Sequence, residues 1–220
     1  GSFAEYAIGS AAYVGRLPRN VDLAGLAPVL CAGVTTYKGI KETEAKPGEW
    51  IAISGVGGLG QMAIQYAKAM GLHVAALDVT EEKLALARAS GADLTVDATR
   101  SDAISQIVKQ TGGGVHGALV TAVSPSAFSQ AIQILRRKGT VALVGLPPGE
   151  FRTPIFDVVL GRKTIRGSIV GGRQDLAEAI AFAAEGRVRS HFHTTSLEDI
   201  NAVFDNMKAG KIDGRMVITF

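Results

Sequence analysis

Apolar residues along this chain fall into short runs at about 51–54, 73–78, 94–98, 117–123, 139–145 and 164–170, and between the runs they recur with helical spacing. Strand-like runs alternating with helical patterns predict a parallel, doubly wound α/β sheet of six strands. The clearest helical pattern is Leu59, Met62, Ala63, Tyr66, Ala67 and Met70, spaced i, i+3, i+4, i+7 and i+8 so that one face is apolar, with Gly71 closing it. Thr80 is placed to cap a helix over 81–89, with Glu81 and Glu82 at its dipole-positive end. Ser101 is read as the cap of the next helix, which Gly112-Gly113-Gly114 stops. Ser124-Pro125 opens another, with Phe128, Ala131, Ile132 and Leu135 toward the sheet. Arg136-Arg137-Lys138 reads as a helix end, where cations suit the dipole.

The two flanks do not share this repeat. Residues 1–20 read as short strands. Residues 190–220 read as a strand, a helix begun by the capping-box pattern Ser196-x-x-Asp199 and ended by Gly210, and a last strand. Both flanks are read as parts of a second domain, giving the division 1–37, 38–189 and 190–220. Gly1-Ser2 leads into the first pattern without an initiator Met, which suggests a chain that starts in mid-protein; an expression remnant is the other reading.

Chemistry enters at Gly55-Val56-Gly57-Gly58-Leu59-Gly60, which lies between the first strand and its helix. Gly55 permits the tight turn, Gly57 lets the backbone approach a pyrophosphate, and Gly60 lets the helix pack closely on the strand. The helix start points free N–H groups and a positive dipole end at phosphate. The second strand ends in Asp78, eighteen positions beyond Gly60, where a dinucleotide-binding fingerprint expects an acid about 20 residues on. A carboxylate there accepts from the adenosine ribose hydroxyls and repels a 2′-phosphate, so NAD is favoured over NADP. The competing reading is a tight strand-to-helix turn followed by a solvated Asp.

Composition narrows the field further. At 47% apolar and 20% charged, the 220 residues suit a globular α/β protein with a substantial core. Apolar runs end well short of the ~18 residues of a membrane span, and no signal-peptide pattern is present, so a cytosolic setting is expected. A net charge of +3 without a basic stripe speaks against nucleic-acid binding. Cys31 is the single cysteine, which excludes an internal disulfide and cysteine-rich zinc modules. His191 and His193 share one side of a strand; without a third ligand nearby in sequence they read as surface residues.

Four ordered segments carry a resemblance: Cys31-Ala32-Gly33-Val34-Thr35-Thr36-Tyr37, Gly55 to Gly60, Asp78 with Lys83, and Gly214-Arg215-Met216-Val217. With them the chain resembles the zinc-dependent alcohol dehydrogenases of the medium-chain dehydrogenase/reductase family, bacterial tetrameric type, over the last two-thirds of that family's length. The resemblance implies a Rossmann domain flanked by remnants of a GroES-like, β-rich catalytic domain. It implies Cys31 as a catalytic-zinc ligand, Thr35 behind the nicotinamide ring and Leu59 on the ring's other side. Val120, Thr121, Val144 and Leu146 are implied to line the cofactor cleft with Gly55, Gly57, Gly58 and Gly60. Asp78 and Lys83 are implied as the adenosine-ribose pair, and Arg215 as the arginine reaching the pyrophosphate, which suits a fixed guanidinium fork. The strand 165–170 is similar to the edge through which subunits join as dimers or tetramers.

The family's other zinc ligands precede the segment matched, and a lone Cys does not hold a catalytic zinc. The expected parent transfers hydride between a primary or secondary alcohol and NAD+ at zinc, while the 220 residues alone are expected to be inactive. Two rivals stay open: a zinc-free quinone or enoyl reductase of the same superfamily, and a non-catalytic module that binds NAD and self-associates.

Overall fold

The computed structural model describes residues 3–220; the reading of Gly1-Ser2 lies outside the described residues. In chain order the elements are α1 (Leu23–Leu26), α2 (Ala32–Glu42), β1 (Trp50–Ser54), α3 (Gly60–Ala69), β2 (His73–Asp78), α4 (Glu81–Ala89), β3 (Leu94–Asp97), α5 (Ala103–Gln110), β4 (Val115–Val120), α6 (Pro125–Gln133), β5 (Leu135–Leu143), α7 (Ile155–Gly161), β6 (Thr164–Gly167), α8 (Arg173–Ala184), β7 (Phe192–Thr195), α9 (Ile200–Lys208) and β8 (Arg215–Ile218). Six strands form one parallel sheet in the order β3-β2-β1-β4-β5-β6. That is the doubly wound order in which the connections reverse between β1 and β4. β7 and β8 pair in parallel as a separate ribbon.

Side chains of each strand alternate between two apolar layers. Ile51 and Ile53 of β1 join Ile40, Met62 and Tyr66 from α2 and α3 on one face. Ala52 joins Ala118, Val120, Ile107, Phe128 and Ile132 on the other. Because both faces are covered, β1 and β4 are almost wholly buried and read as continuous apolar runs.

Several predicted details change. Residues 3–20 form no strand; apart from a 3-10 turn at Ala11–Tyr13 they are irregular and exposed, having no strand beside them to satisfy their backbone groups. Ser101 does not cap α5, whose N-cap is Asp102. Ser196 donates to Asp199 at 3.1 Å, yet the helix starts only at Ile200, so the pair organises the turn before it. Arg136-Arg137-Lys138 lies within β5, because α6 ends at Gln133 and Leu135 is already a strand residue. There Arg136 donates to the carbonyls of Gly112 and Gly114, tying the triple-glycine turn to the strand. The edge strand stops at Gly167, short of residue 170, and Val170 adopts a positive φ of 47°. Residues 37 and 38 both lie inside the continuous helix α2.

Helices α2 and α8 are joined by a polar network on the rim of the core. Tyr37 Oη donates to Glu178 Oε2 at 2.6 Å, and Lys41 Nζ donates to Asp175 Oδ1 at 2.9 Å and Glu178 Oε2 at 2.8 Å. Burial together with the Glu178 hydrogen bond pushes the Tyr37 hydroxyl up to about 12. Hydrogen bonds from Lys41, Tyr37 and Gln174 hold the Glu178 carboxyl down at about 2, against 4.5 for the free group. Its folded pKa is below the unfolded one, so its stabilisation is complete above about pH 4.5 and is lost as the pH falls toward about 2. Glu178→Gln is expected to cost about 1 kcal/mol at neutral pH, a figure reduced for solvent screening, and to flatten the acid limb of stability. Urea midpoints of the two proteins between pH 5 and pH 2.5 check this; parallel curves would contradict it.

No single helix among the described residues is long and apolar enough to cross a membrane.

Candidate functional site

The site is built where β1 and β4 part at the switch of the sheet. Gly55 N donates to Leu77 O at 2.8 Å, and Gly55 turns with φ 94°, a conformation that only glycine adopts without strain. A Cβ there would also strike the Ala122 backbone. Thr121 closes the other side of the turn: its N and the Ala122 N both donate to Ser54 O, and its hydroxyl donates to Gly55 O at 2.8 Å. At Gly60 an added Cβ would overlap the Gly55 carbonyl, so α3 starts directly against the end of β1. Gly57 has open space on its Cβ side. Among the described residues the N–H groups of Gly57, Gly58 and Leu59 donate to no acceptor in the chain. They stand at the positive end of α3, the arrangement that receives phosphate.

Asp78, only 6% exposed, sits at the end of the neighbouring strand β2. Its Oδ2 accepts from Val56 N at 2.6 Å and its Oδ1 from Val79 N at 2.7 Å, so the carboxylate is fixed under the glycine turn. Lys83 Nζ is 3.8 Å from Oδ1, held on a helix that Thr80 caps through the Lys83 N–H. These residues border a cleft of about 950 Å³ whose other walls are Ala98 and Thr99 after β3, Thr121 to Ser124 after β4, and Ser126, Gln130 and Gln133 on α6. Of these walls the sequence reading names Thr121 alone; the end of β3, Ala122 to Ser124 and the α6 face are absent from it. The signal that points to them is strand order, since ligands in such sheets lie beyond the carboxyl ends at the switch.

Arg215, at the start of β8, lies over the glycine turn. A Cβ on Gly58 would overlap the Arg215 side chain and the Gly214 carbonyl, so Gly58 makes room for this arginine. The arginine is anchored through its own N–H, which donates to His191 O at 3.0 Å.

The remaining candidates lie apart from that cleft. The Val120 side chain is 0% exposed, in the apolar layer under α5 and α6, so it does not line the cleft; its carbonyl accepts from Val144 N and Gly145 N instead. An alternating strand gives one face to the core, and Val120 falls on it. Val144 packs on the opposite layer, and Leu146 is 86% exposed. Cys31 is exposed at the head of α2, with the nearly buried Thr35 one turn on, its N–H donating to Cys31 O. No cluster of three His, Cys, Asp or Glu ligands among the described residues includes Cys31, so the donor set does not fit a catalytic zinc.

The sequence profile of the zinc-binding dehydrogenases matches residues 58–185, more than half of the chain. The chain belongs to that family. It is 60% identical over 218 residues to an alcohol dehydrogenase of Rhizobium meliloti, covering 99% of this chain and 64% of that protein. It is 54% identical over 218 residues to an alcohol dehydrogenase of Geobacillus stearothermophilus, again covering 99% and 64%. The chain therefore spans a little under two-thirds of these relatives' length. Among solved structures, the alcohol dehydrogenase of Aeropyrum pernix superposes with a TM-score of 0.91 at 36% identity, over 100% of this chain and 65% of that one. The acetophenone reductase of Geotrichum candidum, solved in complex with NAD, superposes with a TM-score of 0.82 at 28% identity, over 93% and 58%. For this zinc-binding dehydrogenase chain, the six-stranded sheet is thus the fold its relatives share.

Proposed function

We propose that this chain is the NAD-binding portion of an alcohol dehydrogenase, with the glycine turn holding the pyrophosphate, Asp78 and Lys83 the adenosine ribose, and Arg215 clamping the phosphates from above. The observation that carries this is the set of undonated N–H groups at Gly57, Gly58 and Leu59, facing the cleft beneath an arginine for which Gly58 leaves room. Leu59 lines the cleft and offers an apolar surface to one side of a ring; support of the other side by Thr35, which is nearly buried on α2 away from the cleft wall, belongs to the same proposal. When bound, the nicotinamide supplies the hydride acceptor and donor. The protein's part is positioning, and the Asp78 carboxylate selects NAD by repelling a 2′-phosphate. The division at 1–37, 38–189 and 190–220 goes with this reading, the outer parts contributing to a catalytic domain.

Among the described residues Cys31 has no companion ligands with which to hold a zinc. Alcohol turnover at zinc belongs to a longer polypeptide that brings further ligands to Cys31. That observation favours a second reading for these residues by themselves, a non-catalytic module that binds NAD and self-associates. Self-association through β6 is supported by its place at the sheet edge and by exposed Ile155, Phe156, Val159 and Leu160 on α7 beside it.

Titration of the chain with NADH and with NADPH, followed by nicotinamide fluorescence, tests the reading. Saturable NADH binding at least tenfold tighter than NADPH is expected. Arg215→Ala is expected to weaken NADH by about tenfold, the scale of a lost charge-assisted hydrogen bond, and to reduce the salt dependence of binding. Equal affinities for the two cofactors, or an Arg215→Ala protein that binds as the wild type does, would refute these assignments.

A further inference from the structure

His191 and His193 flank the half-buried Phe192 at the start of β7, so their rings emerge on one side of the strand, with centroids 5.3 Å apart. Sequence offers no third ligand beside them. The fold supplies one: β7 and β8 run side by side with Phe192 opposite Arg215, which brings Asp213, just before β8, to His191. His191 Nε2 and Asp213 Oδ2 are 2.8 Å apart. One donor atom from each of His191, His193 and Asp213 lies within 4.8 Å of the other two.

This approach is built into the backbone. Gly214 carries a φ of 72°, and a Cβ there would overlap both the His191 carbonyl and its ring, so only glycine lets Asp213 come so near. The His191 backbone is pinned on both sides, its N–H donating to the buried Gln61 Oε1 at 3.3 Å and its carbonyl accepting from Arg215. A surface ion pair between His191 and Asp213 would account for two of the three groups and would need no second imidazole. The His193 ring makes no hydrogen bond among the described residues, yet it stands edge-on to that of His191.

We infer that His191, His193 and Asp213 form a binding site for a borderline divalent transition cation of the zinc type. Two imidazoles and one carboxylate suit Zn²⁺ and its neighbours, whereas Mg²⁺ and Ca²⁺ require oxygen donors. Tetrahedral bonds of about 2.0–2.1 Å set ligand atoms about 3.3 Å apart, so closing the cluster takes rotation of exposed side chains and no backbone movement. The protein supplies three ligands, and water completes the shell.

The test is a Zn²⁺ titration by calorimetry on the 220-residue chain, in wild type and in Cys31→Ser, with histidine ring resonances followed by NMR. One Zn²⁺ per chain is expected in both proteins. His193→Ala and Asp213→Asn, both at exposed positions that leave the core intact, are each expected to weaken binding at least tenfold. The ring signals of His191 and His193 should shift together while those of His73 and His116 stay. Binding unchanged by His193→Ala, binding abolished by Cys31→Ser, or shifts confined to His73 or His116 would each overturn the assignment.

Discussion

Gly60→Ala is expected to abolish measurable NADH binding and to lower stability by roughly 3 kcal/mol, the upper end of overpacking costs. The added methyl would occupy the position of the Gly55 carbonyl, which already accepts the Thr121 hydroxyl. Neither neighbour can yield: the carbonyl belongs to the turn that ends β1, and α3 is clamped by its buried face of Met62, Ala63 and Tyr66. Relief requires lifting the start of α3 off the sheet, which moves the Gly57 to Leu59 N–H groups out of their common focus. Denaturant unfolding and NADH titration of the same preparation separate the two effects. A variant that binds NADH within threefold of the wild type would mean that the turn tolerates the methyl and that the phosphate assignment is wrong.

Asp78→Asn should have the next largest effect, and it acts on selectivity more than on fold. The carboxylate accepts from Val56 and Val79 through different oxygens. An amide keeps one acceptor and turns a donor toward the other N–H, leaving one backbone group at the buried end of β2 without a partner. That costs about 1–3 kcal/mol. NADH affinity is expected to fall by tenfold or more, and the preference over NADPH to shrink, since the negative charge facing a 2′-phosphate is gone. The ratio of the two dissociation constants is the decisive quantity. An unchanged ratio would remove Asp78 from the specificity role and leave it as a brace for the glycine turn.

The sheet was legible because its strands are buried on both faces and write themselves as apolar runs; Ile51 to Ser54 and His73 to Asp78 are read with nearly correct ends. Capping chemistry was read where a side chain has one plausible helix to serve, as at Thr80. It failed at Ser101 and Ser196, where a neighbouring Asp lies closer to the first helical residue. The basic triplet misled because cations suit a helix end as well as a strand rim. Arg136 spends its guanidinium on the carbonyls of Gly112 and Gly114, a partnership between distant residues that local pattern does not contain. The same limit hid the cluster at His191. Its third member arrives only through pairing of β7 with β8, whereas Asp78 lies on the strand next to the glycine turn and announces itself by spacing alone.

Arg215 sits over Gly58, and that contact joins segments that leave the ribosome far apart in time. The glycine turn is closed first by Thr121 and Ala122 after β4, and domains form in order of synthesis. The turn then stays open on the side that Arg215 covers until residue 215 has been made. If the turn holds a pyrophosphate, a nascent polypeptide gains its full grip on the dinucleotide only after residue 215 has been made. Free cofactor would then add more stability to chains that include residue 215 than to those stalled before it.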